Sequence, residues 1–267
     1  MGELFFIYRR LTVARIRSDY QYRTSFWLFT LGQFLITFVD FVAVAVIFGQ
    51  VDELAGWSLA EVAFLYGITC VSFGLADMAI SQVEDIDERI KLGTFDQLLT
   101  RPLSPLFQLA ADDFALRRIG KVLQGVVVLA IAMSRLPIDW TPARLAFIVI
   151  TILSGAVIYG SVWVVTASIC FFTVDSGEVA NAFTYGGNYM NQYPLPIYGA
   201  WLRRLMAFVI PLAFVSYFPS VVLLGKDDPL GLPTAFHYLS PLIAVASVVV
   251  ARFVWQFGIR HYRSTGS

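Results

Sequence analysis

Six long apolar runs, at 26–48, 60–82, 119–136, 143–172, 205–224 and 239–257, constrain this chain more than any other feature. A helix needs about 20 apolar residues to cross a bilayer core, so each run predicts a membrane span and together they predict an all-α membrane protein of six transmembrane helices. The composition agrees, since 58% of the 267 residues are hydrophobic and only 14% are charged, outside the range of soluble globular domains. The third run begins among Arg117, Arg118 and Lys121, which are expected to reach back to the headgroups. The fourth, at 30 residues, would rise about 45 Å against a core of about 30 Å and so must tilt or project. Thr141 and Pro142 form an N-cap and first-turn proline for it. Ala43-Val44-Ala45 has the form of a leader cleavage site, but the run at 26–48 is too long for a leader's apolar core.

Lysine plus arginine equals aspartate plus glutamate at 19 each, so net charge favours neither nucleic acid nor an acidic partner. The placement of the cations is lopsided. Six spans put the segments before the first, between the second and third, between the fourth and fifth, and after the sixth on one side. That side holds sixteen of the lysines and arginines, and the other holds only Arg135, Arg144 and Lys226. The positive-inside rule then predicts cytoplasmic N and C termini. Residues 1–25 read as an amphipathic helix on the cytoplasmic surface, with Leu4, Ile7, Tyr8 and Leu11 at helical spacing, and 258–267 as a cytoplasmic tail.

In the first span Thr30, Gln33, Thr37 and Asp40 fall on one helical stripe. A carboxylate in hydrocarbon is costly, so this stripe is expected to line a pathway or a subunit interface. Thr69, Ser72, Ala76 and Ala79 in the second span, and Ser154, Ser161 and Ser168 in the fourth, make small-residue rows suited to close helix contact. Asp77, near the end of its span, calls for exposure or an arginine partner. Cys70 and Cys170 stand a hundred residues apart and read as buried thiols. The chain has no GxxxxGK[ST] loop, no HExxH and no GxSxG. Neither nucleotide binding by a P-loop, a zinc site nor catalysis is therefore expected of the chain itself. The acidic run Glu84, Asp85, Asp87 and Glu88 reads as a solvated face.

Two segments outside the spans carry contact surfaces. In residues 83–105, Gly93 breaks the chain and Thr94 with Gln97 predicts a capping box. Phe95, Leu98 and Leu99 then share a face, and Pro102 and Pro105 end the helix. Such a helix suits docking into a groove on another protein or lying on the membrane surface. Residues 173–204, rich in tyrosine, asparagine and glycine, read as a second cytoplasmic segment too polar to cross. Pro211 and Pro219 are expected to act as hinges in the fifth span.

The segment GTFDQLLTRPLSP at 93–105, with YPLPIYGAWLRR at 193–204 and IPLAFVSYFP at 210–219, resembles a bacterial family of type 2 ABC-exporter permeases, and the resemblance covers nearly the whole chain. It implies that 26–257 is a permease domain dimerising with an identical or homologous permease over two ATPase subunits, which bind the ATP and magnesium. It implies that Gly93, Thr94, Phe95, Asp96, Leu98, Leu99, Arg101 and Pro102 belong to a coupling helix, with Phe95, Leu98 and Leu99 as docking side chains. The expected function is export across the bacterial inner membrane, with the lipid bilayer as the other partner. The alternative is an ATP-independent secondary transporter or channel using Asp40 as its proton site.

Overall fold

The computed structural model describes Val13 and residues 21–112, 115–173 and 177–262. Nearly all of the expected N-terminal surface helix, and residues 263–267 of the expected tail, lie outside the described residues. Among the described residues there are helices and no strand, apart from a single bridge between Leu54 and Trp57. Four helices are long and apolar enough to cross a membrane: α1 (Arg23–Phe48), α2 (Leu59–Ile80), α7 (Pro142–Ala167, continued by a 3-10 turn Ser168–Phe171) and α11 (Ser240–His261). Between α2 and α7 lie the short helices α3 (Ile86–Lys91), α4 (Phe95–Leu99) and α5 (Pro105–Asp112), then the 17-residue α6 (Ile119–Arg135). Between α7 and α11 lie α8 (Gly177–Asn191), α9 (Ala200–Arg204) and α10 (Tyr217–Leu224).

Local chemistry starts and stops these helices. Thr141 Oγ1 accepts the Arg144 N–H at 3.4 Å and Pro142 opens the first turn of α7. At α2 the Glu61 carboxylate accepts both the backbone N–H and the hydroxyl of Ser58, an S-x-x-E start that satisfies an otherwise orphaned donor. Gly93 takes φ +68° just beyond α3, the left-handed conformation that closes a helix and that glycine adopts without strain.

Helix α2 is buried almost all round and forms the centre of the bundle, flanked by α6 and α7, with α11 behind α7 and α1 behind α6. The α2–α6 seam rests on glycines. A Cβ at Gly67 would stand 2.7 Å from Leu129 Cβ, one at Gly74 2.8 Å from Val122 Cγ2, and one at Gly125 2.9 Å from Val71 Cγ2. This close approach replaces the missing hydrophobic drive between helices in lipid. Helix α1 is seated by Gly120 of α6, where a Cβ would collide with the Thr30 carbonyl. Cys70 and Cys170 are free and buried.

Two expectations for the second half of the chain are corrected. Residues 173–204 do not form a polar loop outside the bundle, because α8 packs on α7 and α2 with Thr184, Asn188 and Asn191 buried. Asn191 finds its partners inside: its Nδ2 donates to the Tyr159 hydroxyl at 3.2 Å, and its carbonyl accepts from Thr69 at 2.9 Å and Ser216 at 3.3 Å. Residues 205–224, in turn, are not one helix. Leu205–Val209 is a π turn, Ile210 is extended at φ −113°, ψ 92°, Leu212–Phe214 is a 3-10 turn, and only then does α10 begin. The break falls at Pro211 as the proline requires. Pro219 interrupts nothing, because it lies in the first turn of α10 where its missing N–H is no loss. Since Ser216 meets Asn191 and Leu212 meets Gly187, the intervening stretch leaves and returns to one place in the bundle.

Candidate functional site

The 83–105 linker is rooted in the protein. Ile86, Ile90, Phe95, Leu98 and Leu109 form one apolar cluster with Val164, Ala167, Cys170 and Phe171 at the end of α7 and with Ala251 and Trp255 of α11. Phe95 is fully buried, its ring centroid 5.3 Å from Phe171 and 5.1 Å from Tyr262. Leu98 is buried beside it, and Gln108 Nε2 donates to the Leu98 and Leu103 carbonyls, both at 2.8 Å. The Tyr262 hydroxyl donates to Asp96 at 2.9 Å, tying α4 to the end of α11. Burial, reinforced by that bond to the carboxylate, pushes the Tyr262 phenol up to about 12.

The expectation that Phe95, Leu98 and Leu99 face a partner together is therefore corrected. A five-residue helix has one apolar side, and here the chain's own α7 and α11 occupy it. The surface left outward consists of Leu99, Thr100, Arg101 and Pro102, joined by Leu92, which is 64% exposed and which the helical pattern did not single out. The expected capping box does not form. Thr94 has helical dihedrals, its hydroxyl donates to the Arg89 carbonyl at 3.2 Å, and Gln97 meets the Thr94 backbone instead. Pro105 does not end this segment but opens α5.

Behind the linker, Asp77 forms an ion pair with Arg118 and is itself buried. Lys121 places its ammonium 3.9 Å from the centre of the Phe73 ring. Arg118 and Lys121 thus turn inward rather than toward the headgroups, because Asp77 and the ring face offer them partners within the bundle. The Tyr185 hydroxyl donates to Glu84 at 3.0 Å, and burial raises the Glu84 carboxyl above its ordinary value despite that bond.

The polar stripe of α1 divides in two. Thr30 and Thr37 are buried: Thr30 carries the carbonyl over Gly120, and Thr37 donates to Gln33 at 2.8 Å while its own carbonyl accepts from Tyr66 at 2.9 Å. Gln33 and Asp40 are half-buried, and Asp40 has no hydrogen-bond partner among the described residues. Within its electrostatic reach are Lys121 of α6, Tyr189 of α8 and Tyr193 just beyond it. Much of α1 is bare, with Trp27, Leu28, Leu35, Ile36 and Val39 all more than half exposed, although Phe26 and Val44 are buried.

Among the described residues no cluster of histidine, cysteine or carboxylate could hold a metal ion. A family model described as "ABC-2 family transporter protein" matches residues 34–266. No curated protein and no solved structure matches the chain.

Proposed function

The chain belongs to the ABC-2 family of transporter proteins, and from that premise we propose that it is the permease subunit of an ABC exporter. Membership makes it an integral membrane component that works with an ABC ATPase and has no catalytic activity of its own. The finer reading is that two permeases, identical or homologous, stand over two ATPase subunits that bind ATP and magnesium and drive export. In this reading the chain lies in the bacterial inner membrane and crosses it six times. The crossings are α1, α2, α6, α7, the broken 177–224 segment and α11, with both termini cytoplasmic. Arg203 lies within electrostatic reach of Tyr217, whose ring meets Trp57 at 5.6 Å, so Arg203 and Arg204 fall toward the Leu59 end of α2. Moving both changes the charge count from sixteen against three to fourteen against five, and the bias that supports cytoplasmic termini remains.

The observation that carries the reading is the build of the linker. Leu92, Leu99, Arg101 and Pro102 face outward, while Phe95 and Leu98 are locked between the ends of α7 and α11. A push on the outer surface is thereby delivered to two spans through a buried aromatic contact rather than lost in a loop. Gly93 and Thr94 set the turn, and Asp96 holds α4 to Tyr262. Asp40 and Gln33, with Tyr189, mark the face on which the second permease closes the pathway, and Pro211 is the hinge of the broken segment.

The test is co-expression with candidate ATPases and reconstitution into proteoliposomes. The expected result is an ATPase that co-purifies and ATP-dependent accumulation of cargo that is lost in Leu99→Asp. Transport driven by a proton gradient without ATP, and abolished by Asp40→Asn, would overturn the proposal.

A further inference from the structure

A groove distinct from the outward patch at Leu92 and 99–102 runs between α2, α7 and α11 and is bounded at one end by Ser104, Pro105 and Leu106. It encloses about 650 Å³, within the range of small-ligand sites. Leu75 and Ile80, Val157 and Val164, and Val248 and Trp255 supply its apolar walls, two from each helix. Ser161 offers no free donor, since its hydroxyl is spent on the Val157 carbonyl at 2.8 Å. The polar groups that open into the groove are Arg252 and Gln256 of α11 and Ser104, which sits at the linker end.

Arg252 is the unusual member. It lies eleven residues before Arg263 and nine before His261, inside an apolar span, and it is exposed. It forms no hydrogen bond or ion pair with any described residue. An arginine in such a place needs an anion or water. Two carboxylates at this end of the bundle are already engaged, Asp77 with Arg118 and Asp96 with Tyr262. Along α11 the groove extends from Val248 to Ile259. Eleven helical steps rise about 16 Å, and half of a hydrocarbon core of about 30 Å is one leaflet. Arg252 divides this length, with Val248 about 6 Å deeper and Gln256 about 6 Å nearer the linker end. A guanidinium on its long stem reaches back toward the linker end, so the groove matches a molecule with a negative headgroup there and an acyl chain running inward.

We propose that this groove binds an anionic phospholipid from the leaflet on the linker side, its phosphate on Arg252 and Gln256 and one acyl chain along Val248, Val157 and Leu75. The guanidinium forms a forked pair with phosphate oxygens, a geometry that a zwitterionic lipid offers only with its own cation close by. The bound lipid wedges α11 against α2, so the site bears on the same helix that Phe95 and Tyr262 grip. This inference rests on membrane embedding and does not require that the chain transport anything.

The experiment uses the full chain, purified in mild detergent and incorporated into nanodiscs of phosphatidylcholine with a minor fraction of phosphatidylglycerol. Co-purifying lipid is measured by mass spectrometry after transfer back to detergent. The wild type is expected to retain phosphatidylglycerol at about tenfold or more over its share of the disc. Arg252→Gln and the groove-filling Ala156→Phe should both fall to the disc ratio, while Arg144→Gln, outside the groove, should not change. Because a groove variant can fail to fold, a photoactivatable phosphatidylglycerol is also crosslinked to the wild type and the labelled peptides mapped. Labels at 75–80, 156–164 and 248–259 support the site. Labels confined elsewhere, no enrichment in the wild type, or enrichment that survives both groove substitutions would overturn it.

Discussion

Phe95 and Leu99 lie four residues apart on one short helix, and the structure assigns them opposite jobs that a paired substitution separates. Phe95 is fully buried between Phe171 and Tyr262, whereas Leu99 is 41% exposed. Truncating a buried phenylalanine to alanine costs about 3–5 kcal/mol, including the cavity left behind. The linker packs in a cluster at the ends of α7 and α11 that is separate from the main core, so the loss should appear as local opening rather than global unfolding. At about 1.4 kcal/mol per factor of ten, 3 kcal/mol raises the open population roughly 150-fold. Hydrogen exchange across 94–110 should accelerate by that order in Phe95→Ala, and tryptic cleavage at Arg89 and Lys91 should follow it. Arg101 is protected from trypsin by Pro102 and serves as an internal control. Leu99→Asp should change exchange little, because an exposed substitution moves stability by about 0.5 kcal/mol or less. Its effect belongs to the complex: losing a leucine that a partner covers removes about 1.5–3 kcal/mol, or roughly 10- to 150-fold in ATPase affinity. Wild-type exchange in Phe95→Ala would refute the anchoring argument, and wild-type ATPase binding in Leu99→Asp would refute the assignment of the outward surface.

Three further outcomes follow from particular contacts. Asp77→Asn leaves the half-buried Arg118 without its counter-charge and should destabilise, by less than the roughly 3–5 kcal/mol of a fully buried pair, read as a fall in the thermal midpoint in detergent; the double change Asp77→Asn with Arg118→Gln should recover part of it. Gly120→Val drives a side chain into the Thr30 carbonyl and should detach α1 from α6, lowering the crosslinking yield between cysteines placed on the two helices; an unchanged yield would argue against the close seat. The Tyr262 phenol titrates at about 12 in the fold but near 10 in an unfolded chain. The native state therefore holds the extra proton between these values, so stability is complete below about pH 10 and falls as pH rises toward 12. Tyr262→Phe should lack that fall and, by losing the bond to Asp96, should start about 1 kcal/mol lower at neutral pH.

Hydropathy made the long helices legible, because a run such as 143–172 has no other stable solution, and Thr141 with Pro142 marked its start to within a residue. It could not place α8. Thr184, Asn188 and Asn191 look like loop residues until Tyr159, Thr69 and Ser216 are known to meet Asn191, and those partners lie 25 to 122 residues away. The face of α4 was readable as apolar, but periodicity says that a face will be covered and not by what. Phe171 and Tyr262 cover it. Thr94 and Gln97 carry the letters of a capping box without its extended dihedrals, while Ser58 and Glu61 carry both the letters and the bond. The glycine seam was hidden because on α2 the row of Thr69, Ser72, Ala76 and Ala79 offered spacing as good as that of Gly67 and Gly74, and no such row on α6 pointed to Gly125.

Asn191 closes α8 with its carbonyl holding hydroxyls from α2 and from the residue before α10, and its amide holding α7. Four pieces of chain are thus pinned through a single residue, like spokes at a hub. On the proposed reading, a stroke delivered through the linker would meet these pieces as one body, and the moving part would be a cassette that travels whole rather than one helix sliding past its neighbours.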